Sequence, residues 1–149
     1  MVSMMSILTA TLICAQSGWP SKPLSTVEVS NRVQFGIVRP ASALREQITC
    51  RIVWVPDSFS GERGKGFQAL SMVFKIGGEN VVLIQMPNLD VHGESYSREQ
   101  LSSIVGNGFF RELNLGKYGS RSYDSNETAS WVLLSLKPLD QKIAVKPWN

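Results

Sequence analysis

The sequence predicts a β-rich α+β domain: a sandwich-like or curled sheet with one or two helices packed on it. Three observations predict it. Short β-branched runs recur along most of the chain, and two of them are separated by the compact turn Gly77-Gly78-Glu79. One segment, starting at Ser97, carries a helix start signal followed by an apolar stripe.

The first run is SILTATLICAQSGWP, residues 6–20. Its β-branched Ile7, Thr9, Thr11 and Ile13 favour a strand, and Gly18-Trp19-Pro20 stops it, because proline has no ladder donor. The competing reading is a secretory signal with a short apolar core, cut after residues 15–17. The leader MVSMM, however, has no Lys or Arg where such signals are positive. The strand reading is preferred. Strands are then predicted over 25–30 (Val27, Val29) and 32–38 (Val33, Phe35, Ile37). In 47–55, Ile48, Cys50, Ile52 and Trp54 share one face, while Val53 and Val55 lie on the other, so both faces of this strand are expected to be covered.

Residues 57–66 read as a flexible loop, and 67–76 with 80–86 as a hairpin about Gly77-Gly78. Ser97 and Gln100 form a capping-box pattern before Leu101, Ile104 and Val105, and the apolar face continues to Phe109, Phe110 and Leu113. Residues 114–127 read as a polar, Gly-containing connection. Strands at 129–136 and 142–146 end the pattern. No repeat or heptad is present, and the 149 residues suffice for one domain, 1–149, with a core of its own.

Composition narrows the function. Hydrophobic content of 43% and charged content of 18% exclude a wholly disordered chain. A net charge of +3 and a pI near 9.0 permit an acidic partner without requiring one. No apolar run reaches the ~18 residues of a spanning helix. Cys14 and Cys50 lie separately in apolar runs and read as buried small hydrophobes; on the strand reading, Cys14 stays a thiol in a reducing interior.

Catalytic chemistry has little to stand on. His92 is the only histidine, with Asp90 and Glu94 two residues to either side. A solvated loop explains that trio better than a metal site. No catalytic residue, metal ligand or cofactor is assigned, and no nucleophile elbow, CxxC or HExxH pattern occurs. Two basic clusters are candidate contacts for an anionic surface. Arg63 and Lys65 lie in GERGKG, which lacks the full phosphate-loop pattern. Arg111, Lys117 and Arg121 are interleaved with Phe110, Tyr118 and Tyr123, a mixture suited to lipid headgroups or single-stranded nucleic acid. Asn126-Glu127-Thr128 is a glycosylation sequon, meaningful only in a secretory route.

Taken in order, four segments resemble the small matrix proteins of non-segmented negative-strand RNA viruses, of the bornavirus and nyavirus type. They are the strand running into Gly18-Trp19-Pro20, LREQITCRIVWVPDS (44–58), ALSMVFKIGGENVVLI (69–84) and REQLSSIVGNGFFRELNLGKYG (98–119). The likeness is one of pattern and order over roughly residues 8–120; SGERGKG (60–66) and the tail from about residue 123 depart from it. No P-T-A-P or P-P-x-Y budding motif is present.

The resemblance implies a non-enzymatic domain similar to mononegavirus matrix N-terminal domains. Such a protein assembles with itself into a tetramer or larger and binds anionic lipid membrane under the virion envelope. It supports assembly and budding, and is found in the host cytoplasm and at the inner face of the host membrane. Single-stranded RNA or the viral nucleocapsid, and the viral glycoprotein, are the further partners it implies. Arg63, Lys65, Arg111, Lys117 and Arg121 are then the expected membrane or nucleic-acid contacts, and Trp19 and Trp148 the expected subunit-interface residues. The alternative is a secreted or periplasmic β-rich binding protein with residues 1–17 removed as a signal.

Overall fold

Alternating segments pair edge to edge into a sheet whose faces other parts of the chain cover, and the described residues place seven strands side by side. The structure is a computed structural model and describes residues 14–16, 23–24, 29, 31–33, 35–44, 47–56, 66–88, 93–106, 114–140 and 142–148. The strands are β1 (Cys14–Gln16), β2 (Pro23–Leu24), β3 (Val38–Pro40), β4 (Thr49–Pro56), β5 (Gly66–Ile76), β6 (Glu79–Pro87), β7 (Ser120–Ser125), β8 (Ala129–Ser135) and β9 (Val145–Pro147). A helix, α1 (Arg98–Gly106), and a 3-10 turn (Leu115–Lys117) lie between β6 and β7. The main sheet runs β2-β1-β4-β5-β6-β8-β7, and β3 pairs with β9 in a separate ribbon. The β-rich α+β class expected from sequence is the one observed.

Strands β4, β5, β6, β8 and β7 are successively antiparallel. The β5–β6 turn sets the central register. Gly77 and Gly78 have φ of +58° and +83°, so Ile76 faces Glu79 across a two-residue turn whose twist matches the strands. Strand β1 adds to β4 in parallel, with Cys14 opposite Cys50. Within the opening stretch, residues 14–16 are strand, as expected; 6–13 and 17–20 lie outside the described residues.

Each face of the sheet has its own core. On one side Val53, Val55, Ala69, Val82, Ile84, Met86, Val132 and Leu134 receive α1 through Leu101, Ile104 and Val105. The capping box closes as predicted: Ser97 N–H donates to Gln100 Oε1 at 2.8 Å, and Gln100 N–H donates to Ser97 Oγ at 3.1 Å. On the other side Cys50, Ile52, Leu70, Met72, Phe74, Leu83 and Trp131 pack under the ribbon, with Val33, Phe35, Ile37 and Trp148. The two-faced reading of residues 47–55 therefore holds for Ile48, Cys50, Ile52, Val53 and Val55.

A buried side chain ties the ribbon to the main sheet. Gln85, on the central strand β6, is fully buried. It accepts Val38 N–H at 2.8 Å and donates to Val38 C=O at 2.9 Å, acting as a one-residue strand partner. Pro147 stands opposite Val38 in the β3–β9 register, where no ladder donor is needed. Trp148 N–H then donates to Ile37 C=O at 2.9 Å, and Arg39 lies 5.9 Å from the centroid of the Trp148 ring.

Four expectations need correction. Within 25–30, Val29 is helical rather than strand, and its carbonyl accepts Val33 N–H. Residues 32–37 contain no strand among those described; Val33, Phe35 and Ile37 alternate because they plug a core, not because they join a ladder. The connection expected over 114–127 contains strand β7, whose Ser-rich, polar sequence hid it. At the end, β9 spans 145–147 rather than 142–146.

The thiol expectation also changes. Cys50 is disulfide-bonded, and its register neighbour Cys14 is the only other cysteine in the chain. Two adjacent parallel strands hold these positions side by side, which separation in the sequence concealed.

Candidate functional site

The exposed chemistry gathers where α1 meets the edge strand β7. Tyr123 alternates onto the helix side of β7, opposite Val132, and is half-buried against the helix-side core. The guanidinium carbon of Arg98, in the first turn of α1, lies 5.5 Å from the Tyr123 ring centroid. Arg121, two residues before Tyr123 and so on the same face, donates from its Nη1 to Ser102 Oγ at 3.4 Å. Lys117 Nζ lies 5.3 Å from the ring centroid of Tyr118, which is buried in the same core. Arg98, Lys117 and Arg121 are all exposed, and each is set against an aromatic or hydroxyl group of the helix side. A shallow depression beside Arg98 is lined by Arg98, Glu99, Ser102, Ser103 and Tyr123.

Among the basic residues singled out from sequence, Lys117 and Arg121 therefore share a surface. Arg63, Lys65 and Arg111 fall outside the described residues, as do Trp19 and the trio's Asp90 and His92; Glu94 is exposed. Trp148 is 3% exposed and sits in the core beneath Arg39, so a contact between copies at this end would form around it rather than through its ring. Arg98 was missed. Its signal was present, a cation in the first helical turn where acidic residues are preferred, but its aromatic partner was hidden with β7.

The opposite face of β7 borders a cavity of ≈ 290 Å³ beneath the segment leading to β9. Trp131, Leu133, Leu139 and Ile143 give it an apolar floor. At its rim Lys142 Nζ lies 2.9 Å from Asp124 Oδ2. The Lys142 hydrogen bond, with a further one from Ser125 N–H, holds the Asp124 carboxyl below its ordinary pKa. A carboxyl whose pKa is lower folded than unfolded adds stability that is present above the unfolded value and fades as pH falls through the folded one. Both partners are substantially exposed, so the contribution is small. In Lys142→Met the Asp124 carboxyl carbon, followed by NMR, is expected to titrate closer to the ordinary ~3.9. An unmoved midpoint would remove Lys142 as the cause.

The sequon turn is firmly built. Asn126 Oδ1 accepts Thr128 and Ala129 N–H, each at 2.9 Å, and Thr128 Oγ1 accepts Gly36 N–H at 3.0 Å. Asn88 ties it to β6, donating to Asn126 C=O at 2.8 Å and accepting Ser130 Oγ–H at 2.9 Å. Among the described residues, no group of His, Cys, Asp and Glu is placed to hold a metal ion, and no helix is long and apolar enough to cross a membrane. No protein-family model, curated protein or solved structure matches this chain.

Proposed function

We propose that this protein is a non-enzymatic, self-assembling viral matrix protein, of the mononegavirus type, that lies against an anionic membrane through its helix side. The observation that carries this reading is the grouping of exposed Arg98, Lys117 and Arg121 on one side of the sheet. Near an anionic leaflet each basic side chain is worth ~1 kcal/mol, too little for one copy but cumulative in an array. The same cations beside the half-buried Tyr123 suit contact with single-stranded RNA or a nucleocapsid, with the Tyr123 ring as the stacking face. Assembly beneath an envelope would place the protein in the virion and at the inner face of the host membrane, with the viral glycoprotein as a further partner.

Pelleting with phosphatidylserine vesicles tests it. Wild type should pellet at low salt and release as the Debye length shortens from ~10 Å at 0.1 M to ~3 Å at 1 M salt. Arg98→Gln/Lys117→Gln should lose roughly tenfold in binding, from two contacts of ~1 kcal/mol each, partly offset by residues that remain. Equal pelleting of wild type and variant would sink the assignment of this face.

A second reading has its own observation. Cys50 is disulfide-bonded, and such bonds persist mainly in oxidising compartments. The exposed Asn126-Glu127-Thr128 turn would be a glycosylation acceptor there. A secreted or periplasmic β-rich binding protein fits both features. Cutting after residues 15–17 would, however, remove Cys14, the other cysteine. Intact mass of the natively produced protein, with and without thiol alkylation, separates the readings: loss of the first residues or added glycan mass supports secretion and counts against the matrix reading.

A further inference from the structure

The outer edge of β7 is the end of the main sheet, and among the described residues no strand pairs with it. Its backbone polarity follows from the hairpin. Asn126 N–H donates to Ala129 C=O, and the register pairs Asp124 with Trp131, Ser122 with Leu133 and Ser120 with Ser135. Hydrogen-bonded pairs alternate in an antiparallel ladder, so Ser120, Ser122 and Asp124 face β8, while Arg121, Tyr123 and Ser125 turn their N–H and C=O outward. Ser125 N–H is already taken, by Asp124 Oδ1 at 2.8 Å. Among the described residues, that leaves the N–H and C=O of Arg121 and Tyr123 as the open part of the edge.

We infer that a second copy of this chain pairs with this edge, β7 against β7 across a two-fold axis centred on Ser122. Antiparallel partners must face each other with matching polarity, which limits the symmetric registers. The register that uses only the open groups sets Arg121 opposite Tyr123 of the partner subunit, and Tyr123 opposite the partner's Arg121. Each such pair exchanges both backbone hydrogen bonds and lays a guanidinium by an aromatic ring on the helix side. A two-fold axis makes the patch self-complementary, as an isologous interface requires. The seven-stranded sheet becomes one continuous sheet through two copies, and the Arg98 and Arg121 side chains of both join on one surface. The pairing rests on the reading of this chain as self-assembling and names the element that assembles it.

The axis gives a sharp test. Only residue 122 meets its own copy, at the ~4.5 Å Cα separation of a non-hydrogen-bonded pair, within reach of a disulfide. Under mild oxidation full-length Ser122→Cys should run as a covalent dimer. Ser120→Cys should not, because its own copy is ~14 Å along the strand. Arg121→Pro removes an outward N–H without touching the β7–β8 ladder. It should weaken dimerisation in sedimentation equilibrium by at least ~10-fold, with an unchanged thermal midpoint at concentrations where wild type and variant are both single copies, whereas Arg121→Gln, which keeps the N–H, should weaken it far less. If wild type assembles but Ser122→Cys gives no dimer, or Arg121→Pro sediments as wild type, the edge pairing is overturned while self-assembly by another surface stands. A wild type that is monomeric at every concentration overturns both.

Discussion

Gln85→Leu is expected to lower the unfolding free energy by about 2–6 kcal/mol, because it strands both polar groups of buried Val38, each at ~1–3 kcal/mol. The leucine fills similar space, so the loss comes from the missing hydrogen bonds at 2.8 and 2.9 Å rather than from a cavity. Urea unfolding should show the drop in midpoint, and native-state hydrogen exchange should show the Val38 amide released first. A loss below ~0.5 kcal/mol, the usual range of surface substitutions, would mean that Gln85 does not hold the ribbon. Gln85→Glu adds a test of sign. As a carboxylate it can accept Val38 N–H but can only repel Val38 C=O; protonated, it can do what the amide did. Burial raises its folded pKa above the ordinary ~4.3, so this variant should gain stability relative to wild type as pH falls through that raised value.

Trp148→Ala should cost about 3–5 kcal/mol, the range for deleting a large buried aromatic. The ring is 3% exposed, packs among the residues of the core under the ribbon and is covered by Arg39. Arg39 would be uncovered with it, since its Nη1 bond to Ala43 C=O at 3.0 Å holds the guanidinium where the ring is removed. The measurement belongs at protein concentrations low enough for single copies. A full loss there marks Trp148 as a core residue of each copy; a loss seen only when copies associate would return it to the interface role its residue type first invited.

Local rules made much of this fold legible. Gly77-Gly78 announced the central hairpin, Ser97 and Gln100 announced α1, and alternation in 47–55 announced a strand covered on both sides. Each of those signals is decided within a few residues of itself. What failed was decided at a distance. Val33, Phe35 and Ile37 alternate like a strand, yet Gly36 N–H is taken by Thr128 and the segment stays irregular. β7 is polar on both faces, as an edge strand tends to be, so periodicity could not find it. The site suffered in the same way: Lys117 and Arg121 were visible as charges, but Arg98 joins them only through Tyr123, and Tyr123 needed β7. Nor could spacing show that Gln85 serves as backbone for Val38, 47 residues away.

The ribbon has a consequence for the order in which the chain can fold. The helix-side core draws on residues from Val53 to Leu134, so it can close without either strand of the ribbon. The opposite core needs Val29 and Trp148 together, and β3 meets β9 through Val38 and Pro147. During folding one face of the sheet can therefore be finished while the other still shows Phe74, Leu83 and Trp131 to its surroundings. A partly folded chain in that state presents a greasy, half-roofed surface, open to chaperones or to its neighbours until the ribbon docks.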